Sequence, residues 1–126
     1  MKKIIQTENA PAPIGPYSQA VLANDTLYIS GQIAIDPLTG KIVDKSLEEE
    51  THQVMKNLNA VLEAAEFSFK DIVKTSIFLS DMDFFGCVNI VYGQYFDKEF
   101  PARETLAVKT LPKNVNVEIS AIAVKL

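Results

Sequence analysis

The segment from Val115 to Val124 alternates so regularly that it limits the architectures open to this chain. Val115, Val117, Ile119, Ala121 and Ala123 share one parity. Side chains two apart lie on one face of a strand, so one face of this strand is dry. The other parity carries Asn116, Glu118, Ser120, Ile122 and Val124, a set neither fully apolar nor plainly solvated. A terminal strand with one dry face needs helices on that side. Its half-apolar second face needs a different cover.

Only two stretches have helical period. The first begins at Ser46, where "SLEE" fits a capping box in which Ser46 and Glu49 satisfy each other's free backbone donors. Glu48, Glu49 and Glu50 suit the positive end of the helix dipole, and Val54, Leu58, Val61, Leu62 and Ala65 form its apolar stripe. The second begins near Phe84 behind Asp81 or Asp83 as cap, with Phe84, Val88, Val91, Tyr92 and Tyr95 as its stripe. Strands are predicted near Lys3–Gln6, Ala20–Ala23 and Leu27–Ile35, the last interrupted by Gly31. Further strands fall at Asp71–Ser80, Arg103–Lys109 and Val115–Val124. The order implies one α+β or mixed α/β domain over residues 1–126, with two helices on one face of a sheet of about six strands. Two helices cannot cover both faces, so the open face is expected to meet another copy of the chain.

Composition removes several classes of chemistry. Net charge is -4 and the basic residues are scattered, which disfavours the cationic stripe that nucleic-acid binding needs. Cys87 and His52 are the only cysteine and histidine, so a disulfide within the chain is impossible and a thiolate or imidazole zinc site is not expected. Cys87 is expected to be buried and inert, and His52, off its helix's stripe, to face solvent. No apolar run approaches the ~20 residues of a membrane span, and the N-terminus lacks the apolar core of a signal peptide. A cytoplasmic location is the resulting expectation.

The one arginine stands out. In "EFPARETLAV", Arg103 opens a strand between a proline and an apolar run. If "TLPKN" closes an antiparallel pair between the last two strands, Arg103 lies opposite positions 118–120, and Arg103 and Glu118 share the face away from the helices. Such a pair reads either as a structural ion pair or as a site in which a guanidinium fork grips a carboxylate while Glu118 serves as acid, base or water-orienting group.

The segments "ENAPAPIGPYSQA", "ISGQIA", "DPLTGKIV", "DIVKTSIFLSDM", "VNIVYGQYF", "FPARETLAV" and "LPKNVNVEISAIAV" occur in this order along essentially the whole chain. Together they resemble the Rid family (the RidA/YjgF group) of enamine/imine deaminases. The resemblance implies a chorismate-mutase-like fold and a homotrimeric barrel with helices outside and active sites in the clefts between subunits. It implies hydrolysis of 2-imino acids such as 2-iminobutanoate and 2-iminopropanoate, or their enamine tautomers, to 2-keto acids and ammonia, with no metal or organic cofactor. By resemblance, Arg103 grips the substrate carboxylate and Glu118 positions the attacking water. Tyr17, Ser30, Gly31, Asn89 and Thr105 fall on positions that line the family's pocket. The residues alone leave a plainer alternative open for each: Tyr17 packing over its loop, Ser30 and Gly31 marking a bulge, and Asn89 facing solvent. Thr105 stands where cysteine is common, and Glu66 where many members have a glycine after the first helix, which points to a different helix exit. Two other functions stay open: a carboxylate-binding regulatory protein without turnover, and a translation inhibitor or ribonuclease.

Overall fold

A computed structural model describes all of residues 1–126. Six strands form one sheet: β1 (Lys2–Ile5), β2 (Ala20–Ala23), β3 (Thr26–Gln32), β4 (Ile72–Leu79), β5 (Ala102–Ala107) and β6 (Val117–Val124). Two helices, α1 (Leu47–Ala64) and α2 (Phe85–Gly93), complete the chain. The spatial order is β1-β2-β3-β6-β4-β5, antiparallel throughout except for the parallel pair β4–β5.

The expected dry face of β6 is there. Val117, Ile119, Ala121 and Ala123 are buried beneath α1, against Val54, Leu58, Val61 and Leu62. Each Val, Leu and Ile in this layer contributes roughly 1.5–3 kcal/mol by leaving water, and the two alanines contribute less. Helix α1 starts as its sequence indicates, with Ser46 Oγ accepting from the Glu49 N–H at 3.0 Å. The reciprocal bond from the Glu49 side chain is not formed, so only half of the capping box exists. Asp81 is the cap ahead of α2, accepting from the Asp83 N–H at 2.8 Å.

Glu66 does not reroute the end of α1. It adopts φ 63°, the left-handed conformation a glycine takes freely. The Phe67 N–H reaches Leu62 O at 2.8 Å and the Glu66 N–H reaches Glu63 O at 3.0 Å, closing a Schellman turn. Glutamate has simply accepted the strained backbone of the glycine-type exit.

The largest correction concerns β5. It does not form a hairpin with β6; it runs parallel to β4 at the sheet edge, and β4 lies between the two. The connector from Ala107 to Val117 crosses the end of β4 because it carries its own apolar anchors. Leu111 and Val115 are buried with Ile33 and Ile35 in a second small core. Buried Glu50 ties the crossover to α1 by accepting from Asn116 N–H at 2.8 Å and Asn116 Nδ2 at 2.9 Å. Glu50 was expected only as a dipole-matching surface charge.

The register then decides where the side chains point. Arg103 pairs with Thr75, which is buried on the helix side, whereas Glu118 pairs with Phe78 on the opposite side. Within one chain, Arg103 and Glu118 therefore lie on opposite faces of the sheet, not side by side. The open face carries Tyr28 and Leu106, each 51% exposed, beside half-buried Ile122 and Val124. There Lys74 Nζ lies 3.2 Å from Glu104 Oε1, and Ser76 Oγ also donates to Glu104.

Two smaller expectations change. His52 is half-buried, its Nδ1 2.6 Å from the Tyr95 hydroxyl, because the ring leans against the aromatic cluster that follows α2. Cys87, at the edge of its helix's stripe, is only half-buried. No helix is long and apolar enough to cross a membrane.

Candidate functional site: two half-sites on opposite faces

On the helix side, Asn89, Tyr92, Gly93, Phe100, Pro101 and Arg103 line a cavity of about 300 Å³. The aromatic stripe of α2 brings Tyr92 here, and Pro101 ends the preceding loop so that β5 starts with Arg103 facing α2. Asn89 is half-buried at this cavity rather than simply solvated. Arg103 has no carboxylate partner: the chain's two ion pairs are Lys74–Glu104 and Lys125–Asp71. Its guanidinium carbon sits 5.6 Å from the Phe85 ring centroid and 5.2 Å from that of Tyr92. An unneutralised guanidinium at a cavity wall suits a planar anion, which its N–H fork can bind bidentately. Thr105 lies two residues along the same strand face, and its Oγ1 is the one buried side-chain polar atom without a hydrogen-bond partner.

The second group centres on Gly31 and Glu118. The β3–β6 register slips between Ile29 and Gln32, so Ser30 and Gly31 do form the bulge read from the sequence. Ser30 Oγ donates to Ser18 O at 2.6 Å, and the Ser30 N–H donates to Gln19 O at 3.0 Å. Tyr17 Oη accepts from the Ile14 N–H at 3.2 Å, and its ring lines a small cavity together with Gly31. A Cβ on Gly31 would lie 2.8 Å from Glu118 Cδ and 3.0 Å from Cγ, with Oε2 nearer still. Only a residue without a side chain leaves room for that carboxylate. Glu118 has no hydrogen bond or ion pair within the chain, and burial pushes its pKa above the ordinary glutamate range. A carboxylate whose pKa is raised in this way holds a proton more readily than an exposed glutamate does.

Sequence reasoning missed the residues that hold this second group in place. Gln19, 3% exposed, donates from Nε2 to the carbonyls of Thr7, Ala10 and Pro11 and accepts from the Thr7 N–H, fastening the proline-rich loop around Tyr17. Asn57, 1% exposed, donates to Ile33 O and Ile35 O, both at 2.9 Å, and fixes the chain just past Gly31. The available signal was an amide lying within an otherwise apolar stripe of α1. The largest cavity, about 440 Å³, is bounded by Lys70, Tyr95, Phe96, Asp97, Lys98 and Glu99. It contains none of the expected site residues. Nowhere do three His, Cys, Asp or Glu side chains gather as metal ligands would.

Comparison with known proteins matches the chain to a family. The family model described as endoribonuclease L-PSP matches residues 7–125. A RutC family protein of Pyrococcus horikoshii is 51% identical over 125 residues, covering 99% of each chain. The human 2-iminobutanoate/2-iminopropanoate deaminase is 46% identical, covering 99% of this chain and 91% of the human one. Among solved structures, E. coli TdcF with bound serine superposes with a TM-score of 0.94 at 39% identity, covering 98% of this chain and 99% of that one. The chain belongs to the endoribonuclease L-PSP family, the RidA/YjgF group.

Proposed function

We propose that this protein hydrolyses small 2-imino acids, or their enamine tautomers, to 2-keto acids and ammonia at sites shared between subunits of a homotrimer. The observation that carries the reading is the pairing of opposites. An uncompensated Arg103 and an unpartnered, half-buried Glu118 belong to one chain yet face away from each other. A neighbouring copy brings its Glu118, Gly31 and Tyr17 against the Arg103, Asn89 and Thr105 of the first. The half-apolar open face offers surface for that contact. TdcF, holding serine, supports a small carboxylate ligand for this fold.

The chemistry follows from the groups present. Arg103 holds the substrate carboxylate by two parallel N–H···O bonds and so fixes the adjacent C=N carbon. Ionised Glu118 accepts a proton from a bound water as that water's oxygen adds to the protonated imine carbon, giving a carbinolamine. Glu118 then returns the proton to nitrogen. The C–N bond breaks, the carbinolamine hydroxyl becomes the C=O of the keto acid, and its proton leaves with ammonia as ammonium. A protonated imine is already electrophilic, so no metal or organic cofactor is required. A pKa raised by burial suits Glu118 to both proton transfers.

The test generates 2-iminobutanoate in situ from threonine with a pyridoxal-phosphate dehydratase and follows 2-oxobutanoate release with and without the protein. Faster release, confined to the trimeric fraction in light scattering, is the expected result. Release at the uncatalysed rate would overturn the proposal. Binding of 2-oxobutanoate without turnover would instead mark a regulatory carboxylate-binding protein.

A further inference from the structure

We infer that Phe85 and Tyr92 are positioning residues for Arg103, a bed of two ring faces that fixes its guanidinium while leaving its charge uncompensated. This rests on the proposed reading of Arg103 as the group that grips the substrate carboxylate, and it adds what aims that group. An arginine held by Asp or Glu would meet an incoming carboxylate already neutralised. An arginine held by nothing would lose rotamer entropy on each binding event. Aromatic faces avoid both costs, because they attract a cation through their quadrupole and carry no net charge.

The geometry supports this division of labour. The guanidinium carbon lies 5.6 Å from the Phe85 ring and 5.2 Å from the Tyr92 ring. All five guanidinium N–H bonds lie in its plane, so a cation held over ring faces, which offer no acceptor atom, keeps its N–H donors for a ligand. Arg103 and Tyr92 both line the cavity they share with Asn89 and Phe100, so the cation and one of its two rings border the same open space.

Tyr92 is itself held in place. Its hydroxyl lies 2.7 Å from Thr75 Oγ1; the two residues are 4% and 1% exposed. Thr75 is the register partner of Arg103 on the neighbouring strand. The contacts therefore close a loop: Arg103 backbone beside Thr75, Thr75 hydroxyl to Tyr92 hydroxyl, Tyr92 ring to Arg103 guanidinium. Phe96 packs on Tyr92 at 4.8 Å between centroids and prevents the ring from tilting away. Burial holds the Tyr92 hydroxyl above its usual pKa, so it stays neutral and does not compete for the guanidinium. Phe85, 38% exposed, forms the outer side of the bed and has little structural work otherwise.

The test exploits a simple fact of composition: Arg103 is the only arginine, so the protein gives one arginine side-chain ¹⁵Nε–H resonance. Its shift and relaxation are recorded in the ligand-free protein, and 2-oxobutanoate affinity is measured by calorimetry. The variants are Phe85→Leu, Tyr92→Phe and Tyr92→Leu. In the wild type the resonance is rigid and displaced by ring currents. Phe85→Leu, at an exposed position that folding tolerates, moves it toward the random-coil shift, increases its mobility and weakens affinity about two- to fivefold. Tyr92→Leu does the same to a greater degree, with the kinetic loss in KM more than in kcat. Tyr92→Phe separates aiming from packing. It keeps the ring and hence the ring-current displacement of the resonance, while thermal stability falls because Thr75 loses its partner. An unmoved resonance in both leucine variants overturns the inference, whatever the ligand does. A resonance that moves as expected in a protein that binds no 2-oxobutanoate leaves the aromatic bed standing and overturns the carboxylate reading of the site instead.

Discussion

Gly31→Ala is the sharpest perturbation of the proposed site, because the structure says which atoms must move. An added Cβ would stand 2.8 Å from Glu118 Cδ and 3.0 Å from Cγ, with Oε2 closer. Ordinary contact begins at 3.4 Å, so the carboxyl carbon must retreat by about 0.6 Å and the oxygen by more than about 1 Å. The obstructing atoms belong to a side chain, so rotation about the Glu118 side-chain bonds relieves the clash without moving the sheet. The fold is therefore expected to survive, with unfolding midpoints close to wild type. Catalysis is another matter, since a misplacement of about 1 Å in a group that aims the attacking water costs on the order of 100-fold in kcat. The assay is 2-oxobutanoate release from 2-iminobutanoate generated in situ, with circular dichroism on the same samples. The double variant Gly31→Ala/Glu118→Ala removes the obstruction: it is expected to fold as well as Glu118→Ala alone and to be no less active. Wild-type kcat in Gly31→Ala would refute the reasoning, because it would mean that the carboxylate's position is immaterial.

Arg103→Lys keeps the charge but loses both the fork and the guanidinium held over the Phe85 and Tyr92 rings, so kcat/KM is expected to fall roughly 10- to 100-fold with an unchanged circular dichroism spectrum. Steady-state kinetics at wild-type values would remove Arg103 from the site. Glu118→Gln should abolish turnover yet stabilise the protein at pH 7. The Glu118 pKa is raised on folding, so the stability linked to its protonated form is fully present below the unfolded pKa and is lost as pH rises through the folded one. Denaturant titrations should show the glutamine variant more stable at pH 7 and nearly level with wild type at pH 4; an equal gap at both would exclude burial as the cause. Glu66→Gly, at an exposed position with φ 63°, relieves left-handed strain at some cost in unfolded-state entropy. It should stabilise the fold by roughly 0.5–1 kcal/mol, or raise the melting midpoint by about 2–4 °C. A midpoint below wild type would show that the glutamate side chain does something the backbone geometry does not reveal.

The elements whose period is local were legible. The α1 stripe and the alternation of β6 each follow from side chains a few residues apart, and both occupy the places their patterns require. The Ser30–Gly31 bulge was legible as well, since a glycine inside a strand pattern has few other uses. Buried Glu50 and Asn57 were not, because their value depends on partners 66 and 24 residues away. A glutamate in the first turn of a helix satisfies a local rule so well that its second employment leaves no trace.

The misplacement of β5 is the most instructive case, because a correct list of strands led to a wrong neighbour. "TLPKN" has the residues of a tight turn, and a hairpin is the shortest way to join two consecutive strands. What overrides it is the burial of Leu111 and Val115 against Ile33 and Ile35, which draws the connector across the end of β4. Parallel pairing with β4 then follows, and with it a change of face for every side chain on β5, since neighbouring residues in register share a face. Arg103 leaves the open face and arrives under α2, beside the two rings, where no carboxylate of its own chain can reach it. The hairpin would have put Arg103 next to Glu118, and the pair would have neutralised each other. The crossover keeps the cation and the carboxylate apart within the chain, so each stays without a partner, which is what the proposed site between two copies requires.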